Sequence, residues 1–402
     1  MMKSMNNKLT IKACYLCYFM SGIVILSFGA ILPELIRQKG LSYTLAGGLL
    51  TCMTIGNFLS TIVYPILCSK IKEKYVTCTL CTLYPICLFL FTISKSVVIL
   101  YLLILLIGLN RGVITVTNNR TVNAVTNNSP KHLNILHMSY ALGALLSPFA
   151  IALLTRAGIG WETLLRGISL ITILIPLLYL MMDGRLLSGK IAVGGESTDE
   201  NENRDLKPKD NDLRNVSRFL RIGAYWIALI MVFSYMGLEN TVNGWFETYL
   251  QNVGIMSETL ATVMVSVTWA MILVGRLIIA SISDKFKTSH ILCGITILQF
   301  IAVILLLNAH SAVMVVISLV LLGLGLAGIY PTLMALGGEI VNNSNAGMSL
   351  LTGVGAVGGI VLPQLIGIVA DVQGFNTAIL LMGINSVILL ATGIIYRNYG
   401  GR

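Results

Sequence analysis

Two ionisable side chains stand where hydrocarbon would otherwise surround them. Glu239 lies in the stretch ALIMVFSYMGLENTVNGWF (Ala228–Phe246) and Arg111 in YLLILLIGLNRGVITV (Tyr101–Val116). A carboxylate in a lipid interior costs several kcal/mol, so it normally faces a wet cavity, is neutralised, or is paired. Of the seventeen acidic residues, Glu239 is read as the one well inside an apolar run. A carboxyl so placed can take up and release a coupling proton; the alternative is a structural hydrogen bond that orders its helix between Gly237 and Gly244. Arg111 cannot shed its charge, and at mid-run it is suited to bind solute hydroxyls or an anionic group.

Around both charges the neighbours are polar or aromatic. Asn240 and Asn243 flank the acid, Trp245 and Phe246 follow a turn later, and Glu239, Asn243 and Phe246 share one helical face. Carboxamides beside rings suit sugar recognition, because hydroxyls need both donors and acceptors while pyranose faces stack on rings. Asn118 falls seven residues after Arg111 on the same face, with Asn119 and Asn123 in a neighbouring stripe. Trp269, Tyr330 and Gln364 are further candidates for a solute cavity. Each of these residues can equally serve as helix-to-helix packing or polar glue.

The elements that must carry these residues follow from composition. Of the 402 residues 56% are hydrophobic and 11% charged, and the mean hydropathy is +0.84. A soluble domain keeps roughly a quarter of its residues charged, so the solvent of this chain is largely lipid. Long unbroken apolar runs such as VVILYLLILLIGL (Val97–Leu109) exclude a β-barrel's short alternation and require helices. Twelve such runs predict an all-α polytopic membrane protein with twelve spans. They fall in two sets of six, residues 1–182 and 221–402, joined by a charged linker, 183–220, that contains ESTDENENRDLKPKDNDLR. Most Lys and Arg fall to the loops on one side, which by the positive-inside rule makes both termini cytoplasmic. The first run is too long for a signal peptide and is read as retained. The net charge of +10 is absorbed by this topology, and no basic cluster beside aromatics points to nucleic acid.

On that topology Arg120, His137, Arg276 and Glu339 sit toward the cytoplasmic ends of their spans. A repeat at one constant offset runs through the chain: Pro148 and Pro363, Gly143 and Gly358, Gly108 and Gly323, and Gly22 and Gly237 are each 215 residues apart. The loop Asn127–Ser129 recurs as Asn342–Ser344 at the same offset. Six spans separate the copies, so the halves are parallel repeats. Arg276 and Glu339 are both absent from the first half, where Thr61 and Ala124 stand, as expected of a salt bridge; with Asp284 they are read as a structural or cytoplasmic-gate set. His137, placed at the start of helix 5 near Arg120, is read as a structural histidine before a titrating one.

Several stretches carry a family resemblance. GRLIIASISDKFK (Gly275–Lys287) resembles the loop motif of major facilitator superfamily transporters, and YPILCSKIKEK (Tyr64–Lys74) is a degenerate first-half copy with Ser69 in place of the acid. YMGLENTVNGWFETYL (Tyr235–Leu250), LHMSYALGALLSP (Leu136–Pro148), GLGLAGIYPTLMAL (Gly323–Leu336) and GVGAVGGIVLPQLIG (Gly353–Gly367) resemble the fucose/glucose-permease branch. The resemblance implies two parallel six-helix bundles and a proton- or sodium-coupled sugar porter of the inner or plasma membrane. It also implies a cavity lined by helices 1, 4, 7 and 10, across which Arg111 and Glu239 could face each other.

Other classes are disfavoured by what is missing. An intramembrane enzyme would need paired aspartates, a Ser/His arrangement or an H-E-x-x-H motif, and none occurs. The eight cysteines include the C-x-x-C pairs Cys14/Cys17 and Cys78/Cys81 without a second ligand pair, so no metal or cofactor is expected. The expectation is a monomeric porter that takes up a monosaccharide or similar small polar solute with H⁺ in preference to Na⁺. The competing readings are proton-antiport efflux, for which Gly143-x-x-x-Ser147-Pro148 is a partial motif, and a non-transporting receptor.

Overall fold

The computed structural model describes residues 7–126, 130–187, 219–283, 285–341 and 345–399, and all of its regular structure is helical. Twelve long helices and one short helical turn, Gly184–Leu187, account for it. In the first half these are α1 (Asn7–Lys39), α2 (Tyr43–Lys70), α3 (Glu73–Ile93), α4 (Val97–Thr126), α5 (Pro130–Arg156) and α6 (Trp161–Met181). In the second they are α7 (Gly223–Val253), α8 (Glu258–Ile282), α9 (Thr288–Leu307), α10 (Ala312–Ile340), α11 (Asn345–Gln373) and α12 (Phe375–Asn398). The segment read as a linker lies largely outside the described residues, as do Asp284 and both Asn-Asn-Ser loops.

Eleven of the described helices are long and apolar enough to cross a membrane. The twelfth, α7, has the length at 31 residues, but Glu239, Asn240, Asn243 and Glu247 interrupt its apolar run. The helix that carries the candidate proton site is thus a long one whose apolar run is interrupted. Irregularities fall where helix geometry must be relieved. α6 is broken at Ile173, and α10 changes register between Leu326 and Ile329. Ser257 and Ser311 cap α8 and α10 by accepting from the backbone N–H groups of Leu260 and Met314.

The helices form two compact units. One holds α1, α2 from Gly48 onward, and α3–α6; the other holds α7–α12 together with the short segment Gly40–Gly47. That segment departs from the expected division at residues 182 and 221. Its reason is local: the Asp371 carboxylate of α11 accepts from the backbone N–H groups of Tyr43 and Thr44 at 2.8 and 2.7 Å. The opening turn of α2 has unsatisfied N–H donors and the positive end of a helix dipole, and a carboxylate answers both.

Glycines at the 215-residue offset explain the tightest helix pairs. In the first unit α1 packs on α5, where a Cβ at Gly143 would overlap the Phe19 carbonyl oxygen. In the second, α7 packs on α11, and a Cβ at Gly358 would overlap the Phe233 carbonyl oxygen. Gly108 and Gly323 repeat the relation, on the carbonyls of Met53 and Thr268. Small residues let backbones approach closely in lipid, where dispersion and not water expulsion holds helices together. Substituting Gly358→Val should force α7 and α11 apart and cost about 1–3 kcal/mol or more, seen as a lower melting temperature in detergent. Gly294 in α9 has open space around it, so Gly294→Ala should be neutral or stabilising by up to about 1 kcal/mol. Equal melting temperatures for the two variants would refute the packing account.

Candidate functional site

In the first unit, Arg111 of α4 is half-buried and reaches α5. Its guanidinium donates to the Tyr140 hydroxyl at 3.2 Å and lies 5.8 Å from the centroid of that ring. Tyr140 in turn packs on Tyr18 of α1 at 5.2 Å, and Tyr18 meets His137 edge-on at 5.5 Å. Tyr84 of α3 is close enough to feel the Arg111 charge. The cation thus lies against an aromatic face and a hydroxyl, and a guanidinium fork is the donor geometry that suits hydroxyl or anionic groups.

His137 does not begin its helix. α5 starts at Pro130, so His137 stands two turns inside, exposed, with Tyr140 three residues on along the same face. Arg120 pairs with Glu73 of α3 at 2.5 Å. The Tyr64 hydroxyl donates to the same carboxylate at 3.0 Å and also meets Thr77 and Thr117, which ties α2, α3 and α4 together. Asn118 is wholly enclosed and accepts from the Tyr179 hydroxyl at 2.8 Å. Read in sequence as a solute contact, it instead joins α4 to α6. Asn119 is half-buried and donates to the Thr115 carbonyl of its own helix.

In the second unit, Glu239 is half-buried near the middle of α7. Tyr235, one turn earlier, donates to its carboxylate, and Tyr330 of α10 is near enough to interact with its charge. The Tyr235 and Tyr330 rings stack at 6.1 Å. Arg276 of α8 acts on Tyr235 electrostatically and donates to the Ala327 carbonyl at 3.3 Å. The expected Arg276–Glu339 salt bridge is not formed: Glu339 is exposed and close to Tyr396 of α12. Chain direction explains why. Tyr235 lies eighteen residues before the end of α7 and Arg276 eighteen after the start of α8, so the antiparallel pair places them level.

Other candidates divide between half-buried and sealed positions. Asn240 donates to the Met236 carbonyl of its own helix, and Asn243 accepts from the Trp269 indole at 3.2 Å. Gln364 donates to the Thr44 carbonyl at 3.4 Å. Trp245, read as a stacking platform for solute, is fully buried. Its indole N–H donates to the Pro363 carbonyl at 2.9 Å, and its ring packs between Tyr43 and Phe375. It belongs to the interior of the unit.

Four groups escaped the sequence reading: Tyr18, Tyr140, Tyr235 and Glu247. Tyr235 stands four residues before Glu239, the spacing that puts side chains on one face, and that signal was available. Glu247 lies six residues from the end of α7, which in sequence looks like the edge of a span. The structure buries it at 4% exposure.

The fold has relatives among known proteins. The model of the Major Facilitator Superfamily matches residues 14–363. Bypass of stop codon protein 6 of Saccharomyces cerevisiae is 20% identical over 400 residues, covering 92% of this chain and 78% of that protein. An uncharacterized MFS-type transporter of Yersinia pestis is 22% identical over 367 residues, covering 90% and 89%. Among solved structures, a bacterial homolog of the human lysosomal transporter Spinster superposes with a TM-score of 0.77 at 12% identity, covering 98% and 97% of the two chains. A mutant of the nucleoside transporter NupG gives 0.76 at 14%, covering 96% and 99%, and a D-xylose-proton symporter gives 0.71 at 13%, covering 97% and 96%. These low identities speak for the fold, and the family match runs through both six-helix halves. The chain belongs to the major facilitator superfamily: it is a multi-pass secondary transporter and not an enzyme.

Proposed function

We propose that this chain takes up a monosaccharide, or a similar small polyhydroxyl solute, by proton-coupled symport through alternating access. The observation that carries the reading is Glu239: a half-buried acid in the middle of α7, with the Tyr235 hydroxyl donating to it and Arg276 acting on that tyrosine. A carboxyl that is only half-buried and whose neighbours respond to its charge is a workable proton carrier. Within the first unit Arg111, held beside Tyr140, is the solute-binding cation with Asn119 as a further polar contact; within the second, Asn240, Asn243, Tyr330 and Gln364 are the polar contacts. Two structural neighbours support a ring-shaped polyol. They are named for nucleosides and for D-xylose, which share a pentose with several hydroxyls. The resemblance to the fucose/glucose-permease branch points the same way.

Coupling to H⁺ in preference to Na⁺ follows from the donor set: one acid among phenols and carboxamides suits a proton better than a cage for a hard cation. The partial antiporter motif does not favour efflux. Gly143 is taken up by contact with α1, and Ser147 donates to the Ile23 carbonyl at 2.8 Å; both positions serve packing whatever the direction of transport. The charge pattern supports a cell-membrane protein with both termini cytoplasmic, acting as a monomer in the lipid.

In proteoliposomes with an imposed proton gradient, Glu239→Gln should abolish uphill accumulation while solute counterflow survives. Accumulation at the wild-type level would remove Glu239 from coupling. Solutes are found first by a thermal-shift panel of monosaccharides, sugar acids, nucleosides and cationic drugs, since a ligand stabilises the state it binds. For the ligand so found, Arg111→Lys keeps the charge but loses the planar fork. The loss of one hydrogen bond to a charged group, about 1.5–3 kcal/mol, predicts affinity about ten- to a hundredfold weaker with expression unchanged. An unaltered dissociation constant would remove Arg111 from the solute site.

A further inference from the structure

Glu247 is an acid that the coupling scheme above does not use. Only 4% of it is exposed, and it sits in α7 eight residues beyond Glu239, about 12 Å along the helix at 1.5 Å per residue. Its partners are neutral. Thr262 of α8 meets its Oε1 at 2.6 Å, Gln251 donates to the same oxygen at 3.2 Å, and Oε2 is enclosed with no hydrogen-bond partner. Among charged side chains Glu258, near the start of α8, acts on it, and that is another acid. Arg276, the cation of α8, lies fourteen residues beyond Thr262, roughly 21 Å along that helix. From α11, Asp371 is occupied with the backbone N–H groups of Tyr43 and Thr44. No lysine or arginine among the described residues from α10, α11 or α12 acts on Glu247.

Counting hydrogens favours the neutral acid. The Thr262 hydroxyl has one hydrogen but two short contacts, to Glu247 Oε1 and, at 3.1 Å, to the Glu258 carbonyl. A backbone carbonyl and an ionised carboxylate both only accept, so with Glu247 ionised the two would compete for that one hydrogen. With Glu247 as the neutral acid, its own hydrogen completes the shorter contact and the threonine hydrogen serves the carbonyl, and 2.6 Å is an ordinary length for such an O–H···O bond. The orphaned Oε2 agrees. A buried unpaired carbonyl oxygen costs about 1–3 kcal/mol, and a charged one more. An ionised carboxylate with one bare oxygen and no cation would be far costlier than the neutral acid.

We propose that Glu247, Thr262 and Gln251 form a second proton-binding site, separate from Glu239, whose ligand is a single H⁺ taken from water as the carboxylate becomes the acid. The site does not depend on the coupling role of Glu239. Its occupancy is controlled by the packing of α7 on α8: the proton is held while Thr262 covers it and is exchanged when that contact opens.

The test is infrared spectroscopy of the full-length protein in lipid at pH 7, where an ordinary glutamate, with its pKa near 4.3, is almost entirely ionised. The wild type should show the carbonyl band of an un-ionised carboxylic acid, and that band should move on exchange into D₂O. Glu247→Gln should remove it, Glu239→Gln should retain it, and Thr262→Val should shift it by taking away its hydrogen-bond acceptor. If Glu247→Gln fails to fold, the Thr262→Val shift alone decides the matter. A spectrum unchanged in Glu247→Gln, or unchanged in Thr262→Val, overturns the proposal. So does a band that never exchanges with deuterium, since a trapped proton is not a bound ligand. Loss of coupling in Glu239→Gln with this band intact would separate the two sites cleanly.

Discussion

Hydrocarbon offers no hydrogen bonds, and the rest of the structure follows from that constraint. Each helix must satisfy its own backbone, and two helices can then be joined only by dispersion or by polar groups spent on each other. The chain uses both. Where glycine removes a Cβ, backbones meet: Gly143 on Phe19, Gly358 on Phe233. Beside those crossings, side-chain donors reach a carbonyl of the neighbouring helix, as Ser147 does to Ile23, Trp245 to Pro363 and Asn385 to Ser234. A helical carbonyl has a second lone pair available, so these bonds fasten helices without breaking them. The frames built in this way hold α4 and α7 by their packed sides.

The same economy sorts the polar residues into those that are spent and those still available. Asn118 gives its oxygen to Tyr179 with its amide nitrogen enclosed, and Trp245 gives its one N–H to Pro363, so both are sealed within their units. Asn240 and Asn119 use one N–H on their own helix and remain half-buried. Their carboxamides retain capacity for a guest. Polar atoms in lipid thus signal a binding site only when something other than the protein must complete them.

Much of this was legible in the residues themselves. Twelve apolar runs gave the helices, because a spanning segment has to be apolar for about 20 residues. The 215-residue offset located the glycines at equivalent crossings, because close approach tolerates no other side chain. What could not be read was the register between helices. The offset marked Arg276 and Glu339 as a pair absent from the first half, yet α8 sets Arg276 level with Tyr235 and leaves Glu339 exposed near Tyr396. Burial at a span's edge was likewise hidden. Glu247 lies near a helix end, where a lone helix would put it in the headgroups, and only the cover of α8 encloses it.

Glu239 and Glu247 share one helix and one side-chain chemistry, so their surroundings alone distinguish them. A carboxylate is stabilised by donors, nearby cations and water; a carboxylic acid is stabilised by an acceptor for its hydrogen and by dry, uncharged surroundings. Glu239 has the first kind of setting, with the Tyr235 hydroxyl donating, an arginine near that tyrosine, and partial exposure. Glu247 has the second, with a threonine hydroxyl and a carboxamide against one oxygen, the other oxygen enclosed, and an acid as its charged neighbour. Titratable groups whose environments push them apart divide the acid and base roles between them. On α7 the division runs along the helix: the accessible position can hold the anion that a proton seeks, and the sealed one holds the proton itself. Opening the α7–α8 contact would bring water to Glu247 and make its setting resemble that of Glu239, so the packing of two helices is enough to change which of the two carries charge.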